Sequence, residues 1–458
     1  MIERKIYNRL RDFFLHDRRA VLVTGARQIG KTYAIRQVGQ ACFEHFVEVN
    51  FLDRPELVRL LSSAAGTQDL LLRLSGLFGD HLVPGRTLIF FDEVQECREI
   101  VTAIKFLVDE GSYRYVMSGS LLGVELKDLR SVPVGYMSVM DMYPLDLEEF
   151  FRAVGVADTV MDHLRTCYEQ HLPVDSFIHD KMMELLRLYL LVGGMPAAVQ
   201  TYLDTNNLKR VNSVQRDVVR LYRQDIAKYD HESKLRINEV YSLIPSELNA
   251  QNKRFVLKSL NENARFRQYE ETFLWLKEAG VAIPVYNVEE PRPPLLLNKQ
   301  HNLMKLFLND VGLLASMYAD DIHLQLMQGM VNVNFGAIFE NLTAQELYAH
   351  GWAGDDKNLF YFSNKRQGEL DFLIEESGSV VPLEIKSGKD YHRHNALDRV
   401  LHTEEYGIRQ ARVFCQDNIH MVGKAVYLPI YLLMFVQRPE VPDTLWRIDL
   451  TGLERPLE

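Results

Sequence analysis

Short apolar runs alternate with helical spacing over residues 1 to about 150. Ala20-Val-Leu-Val-Thr24 is a compact apolar run that ends in a glycine turn, and Lys31 to Gln40 follows with helical spacing. Phe46 to Phe51, Thr87 to Phe91 and Arg114 to Met117 are further strand candidates, with helical stretches such as Glu99 to Asp109 between them. Strands apolar on both faces, separated by helices, predict a parallel sheet covered by helices.

From about 140 to 230 the pattern is mostly helical, broken by Gly193-Gly194-Met195-Pro196, which should turn the chain. Residues from about 235 to 290 hold short helices, then Arg267 to Ala279, then the apolar run Val281 to Tyr286. Helices followed by a small strand pair are the order of a winged helix, and of many other small helical domains; Pro291 to Pro294 marks a boundary. Strands return after residue 300, at Asn358 to Phe362, Leu370 to Ile374 and Val380 to Ile385. The expected architecture is multidomain α/β: a P-loop sheet with helical extension over 1–205, a winged-helix-like middle over 206–300 and an α/β domain over 301–458.

A length of 458 residues agrees with about three domains. The four cysteines (Cys42, Cys97, Cys167, Cys415) are scattered without a CxxC spacing, so they read as reduced thiols and not as a zinc or disulfide framework. The N-terminus lacks the unbroken apolar core of a signal peptide. The longest apolar stretch, Ala425 to Val436, is too short to span a bilayer, contains Pro429 and reads as a buried strand. The expected location is the cytoplasm, without a membrane. A formal net charge of −10 argues against a surface coated with nucleic acid but leaves room for one basic groove.

Gly25, Ala26, Arg27, Gln28, Ile29, Gly30, Lys31 and Thr32 satisfy GxxxxGK[ST] between an apolar strand and a helix. Glycines let backbone N–H groups wrap phosphates, and the helix N-terminus adds a positive dipole end. Lys31 is placed to reach the β- and γ-phosphates of ATP, and the Thr32 hydroxyl to ligate Mg²⁺. Downstream, Leu88-Ile-Phe-Phe-Asp92-Glu93 carries two carboxylates at the end of an apolar strand. Asp92 would hold the Mg²⁺ shell and Glu93 would act as general base on the attacking water. Ser118-Gly119-Ser120 follows a third strand that ends at Met117; the Ser120 hydroxyl is a candidate γ-phosphate sensor, against an equally good reading as a simple strand-to-helix turn.

These motifs, with Tyr143-Pro-Leu-Asp-Leu-Glu-Glu-Phe150, Gly193-Gly-Met-Pro196, Lys305 to Leu314, Gly336 to Asn341 and Glu384-Ile-Lys386-Ser-Gly-Lys389, span nearly the whole chain. The sequence resembles the AAA-like ATPases of bacteria and archaea that pair a P-loop domain with a C-terminal domain related to PD-(D/E)xK nucleases. The resemblance implies an AAA-type module, a winged-helix-like middle and a restriction-endonuclease-like end, and it allows oligomers. One departure stands out: relatives carry a Gly-Arg pair before the Tyr-Pro-Leu segment, and here the pair reads Gly135-Tyr136, with Arg130 the nearest arginine.

The residues themselves support a second site. Glu384 and Lys386 share one face of a strand, and an antiparallel neighbour would bring Asp371 beside them. Glu340, in the helical stretch Phe335 to His350, could lean over that sheet. Three carboxylates and a lysine would hold a second Mg²⁺ or Mn²⁺ for phosphodiester hydrolysis. Acids alternating with apolar residues on a half-buried strand are the plainer reading. Lys386, Lys389, His392, Arg393 and His394 form a positive cluster beside the motif. Lys253, Arg254, Lys258, Arg265 and Arg267 are candidates for gripping a DNA backbone, although Glu262, Glu270 and Glu271 interleave with them. Trp275 reads as core.

Two functions follow. In one, ATP turnover drives nucleic-acid processing by the C-terminal nuclease-like domain, with DNA as partner. In the other, the chain is a nucleotide-dependent switch or scaffold whose inactive nuclease-like fold binds a protein partner.

Overall fold

The computed structural model describes residues 2–119, 135–226, 231–250, 253–260, 262, 265–318, 336–388, 392 and 394–439. The chain opens with helix α1 (Lys5–His16), strand β1 (Ala20–Thr24), α2 (Lys31–Cys42), β2 (His45–Asn50), α3 (Pro55–Ser62) and α4 (Thr67–Phe78). Then come β3 (Thr87–Asp92), α5 (Arg98–Glu110), β4 (Arg114–Ser118) and β5 (Met137–Asp141). These five strands form one parallel sheet in the order β2-β3-β4-β1-β5. Every residue of β3 is buried, because helices cover both faces. One face packs on α1 and α2, and the other on α3 to α5 through Leu57, Leu74, Ile100 and Ile104. The P-loop strand β1 and the Asp92 strand β3 are not neighbours; β4 runs between them.

A helical stretch follows: α6 (Leu147–Ala153), α7 (Asp158–Gln170), α8 (Ser176–Val192), α9 (Pro196–Thr205), α10 (Leu208–Ile226), α11 (His231–Asn249) and α12 (Phe266–Glu278). Asp146 caps α6 in a capping box, its side chain accepting from Glu149 N while Glu149 reaches back. Gly193-Gly194 ends α8, and Pro196 opens α9 at a position where its missing N–H costs no hydrogen bond.

Strands β6 (Ala282–Val288) and β7 (Lys299–Leu308) form a hairpin, followed by α13 (Val311–Met317) and α14 (Gly336–Ala349). Then come β8 (Leu359–Asn364), β9 (Gly368–Glu376), β10 (Ser379–Ile385), α15 (Asn395–His402), β11 (Ala411–Cys415), β12 (His420–Val422) and β13 (Ala425–Pro429). The second sheet is mixed, in the order β12-β13-β11-β10-β9-β8-β6-β7. The hairpin expected to close a winged helix is therefore the edge of this sheet: β6 pairs in parallel with β8, and the boundary expected at residue 300 falls inside β7. The physical reason is burial: β6 is buried on both faces, as a strand inside a covered sheet is and a half-exposed wing strand is not. The run 425–436 is a strand only to Pro429; Ile430–Phe435 continues as a buried 3₁₀ turn.

Helix α14 is buried from Ala337 to Tyr348 and packs against β6, β7, β8, β10 and α8. It joins the second sheet to the helical stretch. At one end Glu346 Oε1 accepts the Leu147 N–H at 3.1 Å, and Gln345 reaches Tyr189, which donates to Leu145 O at 2.5 Å. At the other end Glu340 faces the second sheet. Among the described residues no helix is long and apolar enough to cross a membrane. Of the four cysteines only Cys42 is exposed, and none forms a disulfide.

Candidate functional site

The glycine loop turns between β1 and α2. Gly25 has φ +133, and a Cβ there would sit 2.6 Å from Ile29 Cδ1 and against Met142 O, so no other residue fits. Gly30 has φ +92 and opens α2. Lys31 Nζ donates to Gly25 O at 2.9 Å and Ala26 O at 2.8 Å, within the loop itself. Burial lowers the Lys31 pKa to about 8, against the pull of Glu93 and Asp92.

Asp92 ends β3 and is 1% exposed. Its carboxylate receives Thr32 Oγ1 at 3.1 and 3.2 Å, Asn50 Nδ2 at 2.9 Å and the Ser118 hydroxyl. Burial raises the Asp92 pKa even so, the Ser118 bond opposing it. A desolvated carboxylate one hydroxyl away from the loop is a donor set that suits Mg²⁺. Glu93 follows with left-handed backbone, φ 57, which costs a residue with a side chain roughly 1 kcal/mol or more. Gln95 Nε2 donates to Glu93 Oε2 at 2.5 Å, fixing the carboxylate beside the strand end. Asn50 and Ser118 carry no motif of their own; only the strand order shows that β2 and β4 flank β3 and deliver them. Ser120 and Arg130 lie outside the described residues.

A recess of about 230 Å³ adjoins Gly30, walled by Ile2, Tyr7, Tyr33, Met142 and Pro196. Arg27 is ion-paired with Asp225 of α10 at 2.5 Å, and its carbonyl accepts from Tyr222, so the loop is anchored on the helical stretch.

In the second sheet Asp371 on β9, Glu384 and Lys386 at the end of β10, and Glu340 on α14 are brought together. Asp371 Oδ2 accepts the Ile385 N–H at 2.8 Å, and Lys386 Nζ lies 2.6 Å from Glu384 Oε1. Burial, then Glu384 and Glu340, push the Asp371 carboxyl well above its usual range. Burial also works against the charge on Glu340, but the ammonium groups of Lys305 and Lys253 hold its carboxyl low. Lys305 and Glu369 belong to this cluster too, at 2.7 Å from each other, and the sequence pointed to neither. Among the described residues no group of three or more His, Cys, Asp or Glu is placed to hold a metal. Glu340 is the carboxylate that differs from expectation, because lysines occupy it.

Lys253 and Arg254, expected on a DNA-gripping helix, turn instead to the second sheet, where Arg254 meets Ser363 Oγ at 2.9 Å. Lys258, Arg265 and Arg267 are exposed. Trp275 is buried. His394 is buried and bonded to the Tyr427 hydroxyl at 2.8 Å, so it is no surface phosphate ligand; Lys389 and Arg393 lie outside the described residues.

Residues 17–151 match the family model described as an AAA domain. The N-terminal sheet is an AAA-like P-loop domain. Beyond the AAA-like domain, residues 183–325 and 335–433 match two families, each described as a domain of unknown function (DUF8612 and DUF4143). Among solved structures, a Walker-type ATPase of Pyrococcus abyssi is 14% identical with a TM-score of 0.42, covering 69% of this chain and 96% of its own. An ORC1 protein of Aeropyrum pernix in complex with DNA is 13% identical with a TM-score of 0.29, covering 70% and 93%. No curated protein matches the chain.

Proposed function

We propose that the AAA-like domain binds ATP with Mg²⁺ and hydrolyses it to ADP and phosphate. The observation that carries this reading is the Asp92 carboxylate, buried at the end of β3 and met by Thr32 of the P-loop, Ser118 and Asn50. Bound Mg²⁺ neutralises phosphate charge. The chain's own residues do the rest. Thr32 and Asp92 hold the ion, Lys31 leaves its loop carbonyls for the phosphates, and Glu93 takes a proton from the water that attacks the γ-phosphorus. The apolar recess beside Gly30 suits a base stacked on Tyr7 or Tyr33.

For the C-terminal sheet we infer a metal-dependent phosphodiester-cleaving site at Asp371, Glu384 and Lys386, controlled by the nucleotide through α14. The support is Glu384 Oε2, which is buried and has no hydrogen-bond partner, next to Asp371. The net charge of −10 supports a second reading, a nucleotide-dependent switch that binds a protein partner instead of DNA.

The test is Mg²⁺-dependent ATP turnover with and without plasmid, single-stranded and branched DNA, run beside Lys31→Ala and Lys386→Ala. Turnover lost in Lys31→Ala supports the ATPase, and DNA cut in a Lys386-dependent way supports the coupled site. Turnover that ignores DNA, with every DNA intact, sinks the coupled reading and leaves the switch.

A further inference from the structure

The P-loop carries two cations, and they are held differently. Lys31 turns back on the loop's own carbonyls, whereas Arg27 Nη1 reaches out of the loop to Asp225 Oδ1 of α10 at 2.5 Å. The Asp225 side chain is 5% exposed and the Arg27 side chain 23%, so the carboxylate is buried and the guanidinium is not. Tyr222, one turn earlier on the same face of α10, donates its hydroxyl to Arg27 O at 3.2 Å. Tyr222 in turn accepts from Asn309 Nδ2 at 3.4 Å, just past β7. Helix α10 thus grips Arg27 twice, by its carbonyl and by its charge. That charge also reaches the nucleotide side of the loop. Burial lowers the Lys31 pKa to about 8, Glu93 and Asp92 oppose the shift, and repulsion from Arg27 adds to it.

We propose that Arg27 is a contact for the γ-phosphate of ATP, and that Asp225 competes with that phosphate for the guanidinium. The inference rests on the ATPase reading of the AAA-like domain and gives α10 a way to sense which nucleotide is bound. A guanidinium presents one planar fork to a carboxylate or to a phosphate, so it serves the two in turn and not together. Drawing Arg27 away costs the buried Asp225 carboxylate a partner. The γ-phosphate of ATP offsets that cost, and ADP has no group to do so. The ion pair therefore weakens ATP more than ADP, and such a difference in affinity is what a nucleotide sensor requires. In turnover the water oxygen bonds to the γ-phosphorus and its proton goes to Glu93. The bond from that phosphorus to the bridging oxygen breaks, leaving its electron pair on ADP. Arg27 forms no bond; it lends charge to the γ-oxygens and returns to Asp225 when phosphate leaves.

The experiment is a double-mutant cycle on the full-length chain, read by calorimetric titration with Mg²⁺·AMP-PNP and with Mg²⁺·ADP and by ATP turnover. Arg27→Ala should weaken AMP-PNP by about ten-fold or more, as loss of a charge-assisted hydrogen bond does, and leave ADP unchanged. Its turnover should fall by about 10³-fold, the low end for an arginine on a transferring phosphate. Asp225→Asn, which keeps the shape and removes the charge, should tighten AMP-PNP by about ten-fold and leave ADP unchanged. In the double variant the Asp225→Asn gain should vanish, because there is no guanidinium left to release. A gain that persists without Arg27, or AMP-PNP and ADP shifted alike, makes the pair a mere anchor of the loop and overturns the inference. Where Asp225→Asn does not fold, Arg27→Ala decides alone: equal losses for AMP-PNP and ADP, or none for AMP-PNP, overturn it. A parent chain that binds neither nucleotide overturns the ATPase reading itself.

Discussion

Gly194 donates its backbone N–H to Asp310 Oδ2 at 2.6 Å, so a residue just after the second sheet's hairpin holds the loop that turns beside the P-loop. Asp310 is fully buried and also caps α13 through Leu313 N at 2.9 Å. Burial raises its pKa from 3.8 to about 6, partly offset by these donors. A carboxyl whose folded pKa lies above its unfolded value stabilises the fold most when protonated. That contribution is complete below pH 3.8 and is lost as pH rises through about 6. The shift corresponds to about 3 kcal/mol. The difference in unfolding free energy between the parent chain and Asp310→Asn should therefore fall by about that much between pH 4 and pH 7. Denaturant titrations that give a pH-independent difference would exclude this role.

Lys31 predicts a proton signature for nucleotide binding. Its pKa is lowered to about 8, so at pH 8.5 much of the free chain carries a neutral amine. Phosphate oxygens favour the charged form, and binding must then draw a proton from solution. Calorimetric titration with Mg²⁺·ATP at pH 8.5, in buffers of different ionisation enthalpy, should show net proton uptake. Lys31→Ala should abolish the uptake and weaken affinity by roughly ten-fold or more, as loss of a charged hydrogen bond does. Equal heats in all buffers would rule the proposal out.

Gly194 makes a third prediction, about packing. A Cβ there would lie 2.7 Å from Leu145 N and 2.9 Å from Leu145 C, and backbone cannot step aside cheaply. Gly194→Ala should cost about 1–3 kcal/mol, the usual range for overpacking. Gly76, inside α4, has nothing within 4 Å of its Cβ position, so Gly76→Ala should be neutral or stabilising by about 0.5–1 kcal/mol. Thermal unfolding of the two variants side by side checks the pair; matching midpoints would refute the steric account.

The first sheet was legible because local pattern and motif agree in it. Ala20 to Val23 and Leu88 to Phe91 are apolar throughout, as strands covered on both faces are, and the glycine loop marks where β1 ends. Partners that come only from topology were not legible. Asn50 and Ser118 meet Asp92 because β2 and β4 flank β3, and the sheet order leaves no local trace. The β6–β7 hairpin read as a wing for a similar reason: alternation reveals a strand but not its neighbours. Lys305 carries no site signal of its own in the sequence, although pairing in the large sheet brings it against Glu340 and Glu369. Glu340 kept its place near Asp371 and Glu384 but not its freedom.

Glu93 is where binding and chemistry should separate. Asp92 is bonded to Thr32, Asn50 and Ser118, whereas Glu93 sits one residue on in a left-handed conformation, held by Gln95 at 2.5 Å. Glu93→Gln keeps the shape and the contact partner but cannot accept a proton from water. Turnover should fall by about 10²–10⁴-fold, the span of a lost general base, with affinity for a fluorescent ATP analogue changed only a few-fold. Asp92→Asn should weaken Mg²⁺·ATP binding as well as turnover, because it removes a charge from the ion's own site. Single-turnover kinetics with both variants tell the roles apart. If Glu93→Gln hydrolyses ATP at the parent rate, the base is another residue, and the strain at Glu93 needs a structural explanation.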